Sequence, residues 1–141
     1  MDKANYEKLA ARVRRNEGLS YLPYRCSAGA LTIGYGHNLD ARGISKEVAE
    51  LLLKQDLEIA EKQVKNAFIW WPKMDDARLG VLIEMCYNLG LSGLVGFKKM
   101  LAAVESGDYK RAAKEMLDSK WAFQVKGRAV ELAKIMETGE W

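Results

Sequence analysis

The chain has 141 residues, 49% of them hydrophobic, and carries 22 Lys plus Arg against 19 Asp plus Glu for a formal charge of +3. A single domain of this size buries roughly two-thirds of its unfolded surface, so one domain over 1–141 suffices. The charge is mild and interleaved, as in Glu58-Ile59-Ala60-Glu61-Lys62. That excludes a nucleic-acid binder built on a basic stripe, and no apolar run approaches membrane-spanning length, so no membrane insertion is expected.

From Lys3 to Asn16, Tyr6, Leu9, Ala10 and Val13 recur at helical spacing. This predicts a helix opened by Asp2 and stopped by Gly18. Residues 21–25 and 30–35 read as two short strands of a hairpin around Ser27-Ala28-Gly29, and period-two alternation predicts that Thr32 faces a cleft while Ile33 enters the core. The stretch 38–43 is turn-like, and Ser45 is a plausible N-cap for a long connecting helix to about Asn66.

Trp70-Trp71-Pro72 breaks the pattern. Asp75 or Asp76 then opens a helix burying Leu79, Leu82, Ile83 and Cys86 and closed by Gly90. Further helices are expected over 93–106, stopped by Gly107, from Asp108 to about Asp118, and over 124–137 before Gly139. Helix, small sheet, long helix and helical block in that order define the α+β class. The sheet lobe covers about 17–44, the connecting helix about 45–66 and the helical lobe about 67–141, with the first helix packing on the latter.

The two cysteines, Cys26 and Cys86, lie 60 residues apart in a loop-like and a helix-like segment. Free thiols, and with them a reducing compartment of synthesis, are expected. The first residues contain no apolar core of signal-peptide length, which predicts synthesis in the cytoplasm without a leader. His37 is the only histidine, and no Cys or Asp spacing beside it suits a metal, so neither metal nor cofactor is expected.

The chemistry concentrates between Glu17 and His37. Glu17, eight residues, Cys26, five residues and Thr32, followed directly by Ile33-Gly34-Tyr35-Gly36-His37, places an acid, a thiol and a hydroxyl around one hairpin. This signature, with the Glu17-Gly18 pair, resembles that of bacteriophage-type lysozymes, glycoside hydrolase family 24, in which the middle position is Asp or Cys. Lys54-Gln55-Asp56, Asn88-Leu89-Gly90, Gly96-Phe97, and the run from Lys120-Trp121 through Gly127-Arg128 to Trp141 extend the resemblance over most of the chain.

The resemblance implies a two-lobed lysozyme-like fold, a small sheet lobe and a larger helical lobe joined by a long helix. It implies a muramidase that hydrolyses the β-1,4 bond between N-acetylmuramic acid and N-acetylglucosamine of peptidoglycan. Such chemistry needs a proton donor for the leaving oxygen and a positioned water at the anomeric carbon. Glu17 is the expected acid, which requires a helix end desolvated enough, against Tyr21, Leu22 and Tyr24, for the carboxyl to hold its proton.

Thr32 can hold a water by donating and accepting. Cys26 is catalytic by resemblance, with its role as base, water orienter, thiolate or nucleophile open, because an ordinary thiol near pKa 8.5 is mostly protonated at neutral pH. Arg128 is implied as the cation paired with Glu17, and His37 with Asp56 as a structural ion pair. Among Tyr35, Tyr87, Trp121, Asn38 and Asn88 as candidates for holding sugar, the resemblance selects Asn38 and Tyr87.

A phage or prophage endolysin acting on the cell wall after release, with a pore-forming holin as the partner for release and a monomeric state, is the role this implies. Two alternatives share the fold. One is a catalytically altered wall-binding phage structural component, and the other is a lytic transglycosylase that forms an anhydro-sugar without water.

Overall fold

The computed structural model describes residues 1–141. By internal contacts the chain divides into two units, Met1–Glu50 and Leu51–Trp141.

In the first unit, α1 spans Lys3–Glu17. Asp2, whose short carboxylate competes well for unpaired amides at a helix start, takes the Asn5 N–H at 2.8 Å. Gly18 ends the helix at a φ of 71°, a backbone region that a side chain disfavours. The strands β1 (Ser20–Arg25), β2 (Leu31–Gly34) and β3 (His37–Asn38) form an antiparallel sheet in that order. Thr32 pairs with Tyr24 on one side and with Asn38 on the other.

The third strand exceeds the predicted hairpin, and the expected turn after it is a short helix, α2 (Leu39–Arg42). Asn38 caps that helix by accepting the Ala41 N–H at 2.9 Å. The alternation on β2 also differs from expectation. Thr32, 4% exposed, is the buried residue, whereas Ile33 is only half-buried. Thr32 sits in the central strand, covered from both sides, and burial is permitted because its hydroxyl donates to the Ala30 carbonyl at 2.8 Å.

The long helix α3 covers Lys46–Ala67, with Ser45 accepting the Val48 N–H at 3.2 Å as the predicted cap. Within the second unit its buried residues are Ala60 and Val64. A 3-10 turn at Trp71–Lys73 follows, with Pro72 near its start. The helix α4 (Asp76–Val95) is capped by Asp75, which accepts the Arg78 N–H at 2.9 Å. Gly90, at a φ of 75°, interrupts this helix instead of closing it.

The rest is helical: α5 (Lys98–Ser106), α6 (Tyr109–Leu117), α7 (Lys120–Val125) and α8 (Gly127–Thr138). The single predicted last helix is thus two, broken at Lys126, whose φ of 45° is the one positive value outside glycine. Gly107 and Gly139 stop α5 and α8 in the left-handed region as expected.

Their apolar faces meet in one core around Leu82, Met85, Leu94, Met100, Met116 and Met136. Arg78 ties α4 to the far end of α8, donating from Nε to the Met136 carbonyl at 2.7 Å and from Nη2 to the Glu137 carbonyl at 2.8 Å. Its guanidinium also lies 3.7 Å from the Tyr109 ring centroid. No single helix is long and apolar enough to cross a membrane.

Candidate active site

Glu17 is the last residue of α1, where the chain turns at Gly18 into β1. Its carboxylate lies directly over Gly36, at the turn between β2 and β3. A Cβ built on Gly36 would stand 2.5 Å from Glu17 Oε2 and 2.8 Å from Cδ. Gly36 also has a φ of 71°, so two independent constraints demand glycine there. The helix end and the sheet therefore meet at the predicted acid, but the expected desolvation is not there: Glu17 is exposed, and Tyr21 and Leu22 point into solvent at 83% and 75% exposure.

Cys26 follows β1 and opens a tight turn. Its N–H donates to the Ala30 carbonyl at 2.9 Å, and its carbonyl accepts the Gly29 N–H at 2.8 Å. The thiol is held below its ordinary range, first by the Ala28 and Ala30 amides, against desolvation as the next largest effect, with a lesser lowering from the neighbouring Thr32 side chain. Cys26 and Thr32, six positions apart in sequence, are thereby brought together by the register of the hairpin.

Both cysteines are free, as expected. Cys86 is the chemical opposite of Cys26. It is buried in α4 with its Sγ 3.5 Å from Gln63 Oε1, and burial pushes its thiol up.

One residue that the sequence does not single out helps to shape this unit. Asp40 on α2 accepts the Leu31 N–H at 2.7 Å and lies 3.5 Å from Arg25 Nη1. His37 gives its Nε2 proton to the Gly43 carbonyl, the only role a carbonyl partner allows. Its implied partner, Asp56, belongs to the second unit.

In the second unit Asp56 and Tyr87 line one groove of about 350 Å³ with Ile59, Gln63 and Cys86, so the structure brings these two candidates together. Tyr87 is 42% exposed and free to meet a ligand. Trp121, by contrast, is core: it is 4% exposed, packs edge-on against Phe97, and donates from Nε1 to Asn88 Oδ1 at 2.9 Å. That bond commits the Trp121 indole N–H, while the exposed Asn88 keeps its side-chain Nδ2 free to donate.

Arg128, near the start of α8, donates from Nε to Glu84 Oε2 at 2.8 Å. Glu84 is a partner that the resemblance did not assign. The signal for it was one acid inside the otherwise apolar run Val81-Leu82-Ile83-Glu84-Met85-Cys86.

An acid at a helix end, set against a sheet that carries a hydrogen-bonded sulfur and hydroxyl, is a donor set suited to glycosidic-bond cleavage. The phage lysozyme family model matches residues 14–135, and the chain belongs to that family, an enzyme of the glycoside hydrolase class. It is 29% identical to an endolysin of Acyrthosiphon pisum secondary endosymbiont phage 1, over 93% of this chain and 89% of that protein. It is 24% identical to a probable T4-type lysozyme 1 of Dictyostelium discoideum, over 90% of this chain and 92% of that one. The pre-baseplate central spike protein Gp5 of Enterobacteria phage T4 is 28% identical over 93% of this chain, which spans only 28% of the spike protein's length.

Proposed function

We propose that the chain is a muramidase that hydrolyses the β-1,4 bond between N-acetylmuramic acid and N-acetylglucosamine and serves as a phage or prophage endolysin. The observation that carries this reading is the Glu17 carboxylate lodged on Gly36 in the same unit as the Cys26–Thr32 pair. Glu17 gives its proton to the glycosidic oxygen as the bond from the anomeric carbon breaks. A water held by the Thr32 hydroxyl attacks that carbon from the opposite face, and its spare proton passes to the Cys26 sulfur. Attack from that face inverts the configuration.

The hydrogen bonds that lower the Cys26 thiol support this assignment, since they tilt sulfur toward the thiolate that can accept a proton. Asn38 and Tyr87 as sugar contacts, and Arg128, His37 and Asp56 as supporting residues, keep the roles the family likeness gives them. The enzyme acts as a monomer on peptidoglycan, made in the host cytoplasm and released to the wall through a phage-encoded pore.

Likeness to the spike protein favours a second reading, a catalytically altered wall-binding structural component of a phage particle. The endolysin, matched over nearly its whole length, makes that reading the weaker one.

Turbidity clearing of purified bacterial walls tests the proposal. Glu17→Gln is expected to lower the clearing rate at least about 100-fold while wall binding persists. Clearing at the wild-type rate by Glu17→Gln would sink it. Products that carry the elements of water, read by mass, separate hydrolysis from anhydro-sugar formation.

A further inference from the structure

The peptide group joining Ala30 to Leu31 is the hub of the Cys26 turn. Its carbonyl oxygen accepts both the Cys26 N–H at 2.9 Å and the Thr32 hydroxyl at 2.8 Å. Its N–H, on the opposite edge of the same rigid plane, is taken by Asp40 Oδ2 at 2.7 Å. Pinning one edge of a planar trans peptide fixes the direction of the other. Asp40 also lies 3.5 Å from Arg25 Nη1, and that nitrogen donates across the turn to the Gly29 carbonyl at 3.1 Å. Arg25 and Leu31 are the register partners that flank the turn.

We propose that Asp40 is a positioning residue for the reaction, a carboxylate that clamps both flanks of the Cys26 turn and so keeps sulfur and the Thr32 hydroxyl aligned. The proposal rests on the reading of Cys26 and Thr32 as the pair that handles water.

Charge and position act in opposite directions here, which makes the clamp testable. A bare negative charge near sulfur disfavours the thiolate, so deleting it would ease deprotonation. Loss of the clamp would instead loosen the Ala28 and Ala30 amides from sulfur and hinder it. The other charged or titratable groups on the elements joined to the turn are Tyr21, Tyr24 and Arg25 on β1, Tyr35 and His37 at the β2–β3 end, and Arg42 on α2, while Glu17 lies over Gly36.

The experiment is alkylation of the intact protein by iodoacetamide across pH, with mass mapping to follow Cys26 apart from the buried Cys86. Asp40→Ala is expected to raise the Cys26 titration midpoint by about half to one pH unit and to slow alkylation at neutral pH by about three- to tenfold. Asp40→Asn, which keeps an acceptor for the Leu31 amide, should stay within about twofold of wild type. An unchanged midpoint in Asp40→Ala, or a lowered one in both variants, would overturn the proposal.

If Asp40→Ala melts below the assay temperature, Arg25→Met should move the midpoint in the same direction by less, and an unmoved midpoint there would count against the clamp. Wall clearing gives the second readout, in which Asp40→Ala should lose rate at saturating walls and Asp40→Asn recover it. Clearing that survives Cys26→Ser would remove the underlying reading while the alkylation result still decides what Asp40 holds.

Discussion

Between Met1 and Glu50 the one buried residue is Thr32, while from Ala60 to Met136 a continuous apolar cluster runs through six helical segments. The first unit places its functional groups through hydrogen bonds and glycine geometry: Asp40 on the Leu31 amide, the turn amides on Cys26, Gly36 beneath Glu17. The second has the burial that makes a fold cooperative. Chemistry here is concentrated where packing is thin. A site held by directional bonds is therefore sensitive to the loss of single atoms, and a site held by packing to the loss of volume.

Leu82→Ala would probe the contrast most strongly. Leu82 is fully buried, so its truncation should cost about 3 kcal/mol of stability, seen as a lowered melting temperature, while the clearing rate per folded molecule stays within about twofold. A comparable drop from truncating Tyr21, exposed on β1, would erase the distinction between the units.

Asn88→Ala comes next. It strands the buried Trp121 N–H and should cost about 2 kcal/mol by thermal or urea unfolding. Gly36→Ala should cost less stability, about 1 kcal/mol from its positive φ, because the flexible Glu17 side chain can yield to the new methyl. Its clearing rate should nevertheless fall more than about tenfold, because the displaced group is the acid itself.

The smallest effect concerns pH. The Cys26 thiol is lowered by folding, so the folded state sheds its proton before the unfolded state does. Its contribution is full above the ordinary thiol range and disappears as pH falls through the folded value. Melting temperatures from neutral to alkaline pH should then rise for wild type relative to Cys26→Ser, and level off once the unfolded thiol also ionises. A constant difference would show that the turn amides do not favour the thiolate.

The elements of both units were largely legible from local signals. Asp2, Ser45, Asp75 and Asp108 opened helices where their short acceptors reach unpaired amides, and Gly18, Gly107 and Gly139 ended them. The signature from Glu17 to His37 named the acid, the sulfur and the hydroxyl. Burial of Thr32 escaped because alternation ranks Leu31 and Ile33 by hydrophobicity, whereas a three-stranded sheet covers whatever occupies its centre.

The break between α7 and α8 escaped because it falls on Lys126 and not on neighbouring Gly127. The pairs Arg128–Glu84, Trp121–Asn88 and Asp40–Leu31 join residues that only the folded chain brings close. No periodicity encodes such pairs.

The grip of Arg78 on α8 has a consequence for the order of events during synthesis. Its acceptors, the carbonyls of Met136 and Glu137, lie 58 and 59 residues downstream. The α4–α8 clasp therefore closes only after translation of α8, and a nascent chain stopped before Met136 should leave the flank of α4 exposed to proteases.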